Sequence, residues 1–97
     1  MVIISKTILN EFARIHPVAI EALNRWHEIV KEADWKKSSD IKRDFNTVDM
    51  VGNDRFVFNI KGNDFRLVVM IFFDIRTVFI RFIGTHKEYD RINCSNV

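Results

Sequence analysis

The sequence predicts an α+β fold in which N-terminal helices pack on one face of a small antiparallel β-sheet. Two observations point there. Before about residue 50 the apolar side chains recur at three- and four-residue steps, whereas from Arg55 they alternate. Three strand-like runs then follow one another through short turns, which makes a meander with an apolar face that needs helices against it.

The elements follow in order. After a short apolar start at residues 2–4, Ser5 is placed to cap a helix whose inner face is Ile8, Leu9, Phe12 and Ile15. His16-Pro17 ends it, and Pro17 suits the first turn of a second helix. There Ala19, Ala22, Leu23, Trp26, Ile29, Val30 and Ala33 form the apolar stripe, while Glu21 and Arg25 are spaced to pair on the other face. Trp35, read with Trp26 as core, precedes Lys36-Lys37-Ser38-Ser39, where Ser39 is placed to cap a short third helix through Ile41 and Phe45.

Phe56, Phe58 and Ile60 alternate with Arg55, Val57, Asn59 and Lys61, so one face of this strand reads as core and the other as polar. Gly62-Asn63-Asp64 turns into Phe65–Phe73, whose apolar run suits a strand with neighbours on both sides. Asp74-Ile75-Arg76 turns again into Thr77–Ile83, and Gly84 ends that strand.

At 97 residues, positions 1–97 make a single domain near the lower end of what apolar burial alone sustains. Nine Phe and two Trp supply the large side chains such a core needs. The formal charge of +2 is too small to announce a nucleic-acid binder, but it is unevenly spread. Residues 1–54 hold eight basic and nine acidic side chains, and residues 55–97 hold seven and four. The C-terminal half is the part a polyanion would feel, within the limits of salt screening.

Cys94 has no internal disulfide partner, which fits a reducing compartment. Met1-Val2-Ile3-Ile4 gives way at once to Ser5, Lys6 and Thr7, too short for a signal-peptide core or a bilayer span. The expectation is a soluble cytoplasmic protein with no membrane partner. No Gly-x-Gly-x-x-Gly or Gly-Lys-Ser/Thr loop is present, and the three His and the acids form no recognisable metal-ligand set, so no cofactor or metal is expected.

The segment Gly84-Thr85-His86-Lys87-Glu88-Tyr89-Asp90 follows a strand and is preceded by Gly62-Asn63-Asp64-Phe65-Arg66-Leu67 and Asn53-Asp54-Arg55-Phe56-Val57-Phe58. With Trp26 and Ala33-Asp34-Trp35 upstream, this series resembles the HigB toxins of the RelE-like superfamily along most of the chain. The resemblance implies a RelE-like fold and metal-independent endoribonuclease activity, an mRNA interferase that cuts messenger RNA in the ribosomal A site. It also implies a HigA-type helix-turn-helix antitoxin that silences the toxin and contacts operator DNA, so that the toxin reaches DNA only through the complex.

Metal-free RNA cleavage needs a base for the 2′-hydroxyl, cations for the phosphorane and an acid for the departing 5′-oxygen. His86, Arg66, Lys61 and Tyr89 supply those types. Histidine titrates near neutral pH, Arg66 can set a planar fork on a phosphate, Lys61 lies across the hairpin turn from Arg66, and Tyr89 can stack on a base or donate its phenolic proton. Each also has a structural role open to it. His86 can cap or sit at the surface, Arg66 can pair with Asp64, Lys61 can solubilise the hairpin, and Tyr89 can anchor the C-terminal turn.

For RNA binding the candidates are Arg81 and Asn63, with Lys36 and Lys37 as a basic pair that could meet ribosomal RNA, as could Lys42 and Arg43. His27, beside Trp26, reads as packing or solvated. Members of the wider superfamily carry several lysines on the strand before the hairpin, where this chain has Val57 and Asn59. The cationic load therefore falls on fewer groups, and His86 is the preferred base. Two other functions stay open: a catalytically inactive RNA- or ribosome-binding module of the same fold, and an interaction domain that pairs through its Phe-rich sheet.

Overall fold

A computed structural model describes residues 1–97. It places β1 (Val2–Ile4), α1 (Thr7–Ile15), a 3₁₀ turn (Pro17–Ala19), α2 (Ile20–Glu32) and α3 (Ser38–Asp44) before β2 (Asp49–Gly52), β3 (Arg55–Ile60), β4 (Phe65–Phe72), β5 (Thr77–Thr85) and α4 (His86–Asp90). The α+β class holds. The sheet is larger than the expected meander, with five strands in the order β1-β5-β4-β3-β2. It is also mixed, since β1 runs parallel to β5 while β2 through β5 are antiparallel.

The helix-facing side of the sheet carries Phe56, Phe58, Ile60, Phe65, Leu67, Val69, Ile71, Val78, Ile80 and Ile83 in one core cluster with Leu9, Phe12, Leu23, Trp26, Val30 and Trp35. The predicted inward face of β3 is thus the observed one. Phe58, 1% exposed, sits edge-on to Trp26 at 5.5 Å and to Phe45 at 4.9 Å between ring centroids. Emptying such a site costs about 3–5 kcal/mol, a large share of the roughly 5–15 kcal/mol that holds a domain together.

The opposite face of β3 is less polar than its alternation suggests. Val57 and its register partner Val68 are both buried there, outside the helix-side cluster. The C-terminal segment crosses that side: Asn53 Nδ2 donates to the Ser95 carbonyl at 3.0 Å, and Arg55 Nη2 and Nε donate to the Val97 oxygen at 2.6 and 3.1 Å. An apolar patch under a backbone strap explains how β3 reads as half polar yet buries Val57.

Three local expectations are corrected. Ser5 has φ 73 and turns the chain in the left-handed region instead of capping α1 with its side chain. Ser39 lies inside α3, and Asp40 instead reaches back to the Lys36 N–H at 2.9 Å. Ile15 is 64% exposed, because the helix is stopped at His16 before a fourth inward position can reach the core. His16 itself stacks on Phe12 at 4.4 Å, and Pro17 opens the 3₁₀ turn that leads into α2. At the far end of α2 the Met1 amino group donates to the carbonyls of Val30, Lys31 and Ala33, a positive charge where the helix dipole favours one.

Candidate functional site

The site forms where the turn-proximal end of β4 meets the end of β5. Arg66 is the second residue of β4, with Asn59 opposite it on β3 and Gly84 opposite it on β5. Gly84 leaves the room that lets α4 follow the strand directly: a Cβ there would lie 2.7 Å from Phe82 Cζ and 3.0 Å from Glu88 Cβ. Thr85 starts α4 with a reciprocal cap, its Oγ1 accepting from the Glu88 N–H at 3.3 Å while Glu88 Oε1 accepts from the Thr85 N–H at 2.8 Å. Those bonds hold the Glu88 carboxyl below its usual range. The Thr-x-x-Glu spacing carried that signal in the sequence.

The cap sets where His86 and Tyr89 project, three residues apart on one face of the short helix. Tyr89 lies under the Arg66 guanidinium, whose carbon is 5.0 Å from the ring centroid. Its hydroxyl donates to Cys94 Sγ at 3.3 Å. Burial first, then the contact with Cys94, raises the phenol above its usual value, with Arg66 pulling the other way. Tyr89 therefore both meets Arg66 and anchors the C-terminal turn.

Only three buried side-chain nitrogens in the protein lack a hydrogen-bond partner, and two of them are Arg66 Nε and His86 Nε2. Buried polar atoms are rarely left so, since each costs roughly 1–3 kcal/mol. No hydrogen bond or ion pair joins His86 to Arg66, Lys61 or Tyr89. Arg66 does not pair with Asp64, because Lys61 takes that carboxylate at 3.2 Å.

Lys61 stands apart from the pair. It is exposed at the start of the turn with φ 54, a left-handed conformation uncommon for a side-chain-bearing residue. Asn63 is exposed in the same turn. Arg81 faces the C-terminal strap, its Nε donating to the Val97 oxygen at 3.3 Å, and it is the extra residue of a bulge, because Val68 pairs with Phe82 and Val69 with Ile80. Arg55, which the sequence reading had not singled out, shares that oxygen.

Lys36 and Lys37 are not brought to this site. Lys36 pairs with Asp34 at 3.6 Å, and Asp34 also meets Arg76 at 3.4 Å, beside the β4–β5 turn at the other end of the sheet. His27 is on α2, its pKa lowered by burial and by Lys6 and Lys31. No group of three or more His, Cys, Asp or Glu is placed to hold a metal ion, and no helix is long and apolar enough to cross a membrane.

A family model described as HigB_toxin, RelE-like toxic component of a toxin-antitoxin system, matches residues 19–92. The chain is 31% identical over 94 residues to the mRNA interferase HigB of Escherichia coli O6:H1, covering 95% of this chain and 91% of that one. It is 32% identical over 92 residues to the mRNA interferase toxin HigB of Escherichia coli K12, and equally to the mRNA interferase HigB of Shigella flexneri, covering 93% of this chain and 88% of each relative. The match to the family model spans β3, β4, β5 and α4, the elements that build the site.

Proposed function

The chain belongs to the HigB family of RelE-like toxins, and on that premise we propose that it cuts messenger RNA on the ribosome, in the cytoplasm, through Arg66, His86, Tyr89 and Lys61. An mRNA-cleaving toxin has an antitoxin for its partner and RNA for its substrate. The partner in this reading is a HigA-type helix-turn-helix protein, and contact with operator DNA runs through that protein alone.

The observation that carries the assignment of residues is the pair of buried, unpartnered nitrogens on Arg66 and His86. A bound phosphodiester satisfies both. In the reaction the 2′-hydroxyl attacks the adjacent phosphorus and the bond to the 5′-oxygen breaks, leaving a 2′,3′-cyclic phosphate and a 5′-hydroxyl. His86 Nε2 takes the 2′-hydroxyl proton. The Tyr89 phenol, kept in its protonated form, turns from Cys94 to give its proton to the leaving 5′-oxygen. Arg66, already fixed over the Tyr89 ring, bears on the non-bridging oxygens as charge builds there, and Lys61 adds a second cation once the phosphate competes with Asp64.

The test is direct. Expressed alone, the chain should stop growth and protein synthesis, and its antitoxin should restore both. Purified, it should cut a defined mRNA on programmed ribosomes and leave the same RNA intact without them. Equal cutting of free RNA overturns the ribosome requirement. Binding without cutting, at full growth, assigns the chain instead to an inactive RNA-binding module.

A further inference from the structure

A cavity of about 490 Å³ opens between the start of α2, Phe45 and the turn-proximal end of β3. It lies where β3 has no neighbour on one side, because β2 pairs with Val57 and goes no further towards the turn. Ala22, Ile29, Phe45 and Ile60 give it an apolar lining, and Glu21, Arg25, Trp26 and Asn59 bring polar groups to it.

Those polar groups are not used elsewhere. The Glu21–Arg25 pairing expected from their spacing is absent, and the six ion pairs of the protein leave both side chains free. Trp26 is 2% exposed, and its Nε1–H is the third of the three buried side-chain nitrogens without a partner. A fold that buries an indole N–H and leaves it unpaired beside a cavity holds a site for an acceptor.

We propose that this cavity takes an unpaired guanine of the RNA next to the cut, an inference that rests on the RNA-cleaving reading. Guanine presents a ring N–H and an exocyclic amine side by side, which a carboxylate such as Glu21 accepts together, while its carbonyl oxygen accepts from a donor such as the Trp26 indole. Adenine turns a lone pair towards the carboxylate, and the pyrimidines offer no such adjacent pair of donors beside a second ring. Phe45 supplies an aromatic surface for the base, and Arg25 and Lys61 on the lining are positive towards the sugar-phosphate chain. The placement also suits the chemistry, because Asn59 on the cavity wall is the register partner of Arg66, one strand spacing or about 4.8 Å away. A base seated here leaves its phosphate within reach of the cation on β4.

The test reads the Trp26 indole N–H resonance of ¹⁵N-labelled protein during titration with each of the four nucleoside 5′-monophosphates. Trp35 serves as the internal control, since its Nε1–H is already bonded to Asp44 at 2.8 Å. Guanosine 5′-monophosphate should give a saturable shift with an affinity about tenfold above the other three. Glu21→Gln should lose the preference, and Ala22→Phe, which fills the cavity, should lose the response. Melting temperatures near wild type establish that both variants are folded; should Ala22→Phe fail that check, Glu21→Gln, exposed in the fold, carries the test alone. No saturable shift, an equal response to all four nucleotides, or no effect of Glu21→Gln overturns the proposal. So does saturation of the same resonance by the antitoxin when no nucleotide moves it, which assigns the cavity to a protein partner. Binding is read without cleavage, so the two readings fail separately. A protein that cuts mRNA without a guanosine response loses the guanine site alone, and one that binds guanosine without cutting loses the nuclease reading alone.

Discussion

The Arg66 guanidinium lies over the Tyr89 ring, 5.0 Å from its centroid, and so couples a charge on the sheet to the helix that follows it. The contact is worth roughly 0.5–2 kcal/mol, according to how far water is excluded. It uses the ring, whereas the proposed proton transfer uses the hydroxyl.

Tyr89→Phe separates those two uses. It keeps the surface under Arg66 and removes the proton donor together with the bond to Cys94. Folding and ribosome binding should survive while single-turnover cleavage falls by about 10²–10⁴-fold. The pH profile gives a second check. Because burial and the Cys94 contact raise the phenol above its ordinary value, it stays protonated through the usual tyrosine range near ~10. Tyr89 should therefore impose no alkaline fall in rate below about that pH. An alkaline limb centred lower that disappears in Tyr89→Phe would contradict the donor role.

Gly84→Ala tests whether the seat of α4 matters to the chemistry. The added methyl group meets Phe82 Cζ at 2.7 Å and Glu88 Oε1 at 3.0 Å, and Glu88 is the side chain that closes the Thr85 cap. Overpacking of this kind costs about 1–3 kcal/mol, so the melting temperature should drop by several degrees without loss of the fold. Cleavage should fall by far more than that change in stability, since His86 and Tyr89 both ride on α4. A folded Gly84→Ala protein that cleaves at the wild-type rate would show that the placement of α4 is not limiting.

What the sequence made legible was local. The stripe on α2 and the alternation in β3 come from burial of side chains at fixed periods, and Trp26, Phe56, Phe58 and Ile60 lie in the core as their spacing requires. The two outer strands were illegible for a different reason. β1 pairs with a strand some seventy-five positions along the chain, as in Val2 with Thr77, and β2 has no fully buried residue to reveal its period. Ser5 and Ser39 have the side chains of capping residues, but a left-handed backbone at one and Asp40 near the other decide those helix starts. At the site the residue types were readable and their partners were not. Cys94 under the Tyr89 hydroxyl, Lys61 on Asp64 and the lone nitrogens of Arg66 and His86 depend on where strands and strap finally meet.

The sharpest separation of catalysis from binding sets His86 and Arg66 against Lys36 and Lys37. If His86 moves a proton in the transition state, His86→Ala should slow single-turnover cleavage on programmed ribosomes by about 10²–10⁴-fold with little change in ribosome affinity. Arg66→Ala removes a charge whose grip strengthens as the phosphorane forms, so it should also act on the rate, by a few kcal/mol or about 10²–10³-fold. Lys36 and Lys37 are exposed at the far end of the sheet and lie away from any reacting group. Replacing both with Ala should weaken ribosome binding, lower its salt dependence by up to about two counterions and leave the rate at saturation nearly intact. Loss of fold imitates loss of catalysis, so each variant must first bind the antitoxin and melt near the wild-type temperature. Full cleavage by folded His86→Ala protein would take His86 out of the reaction and leave Lys61 or Tyr89 to carry the proton. A Lys36/Lys37 variant whose rate collapses at saturation would place that end of the sheet against the reacting RNA, which the separation of the two ends does not allow.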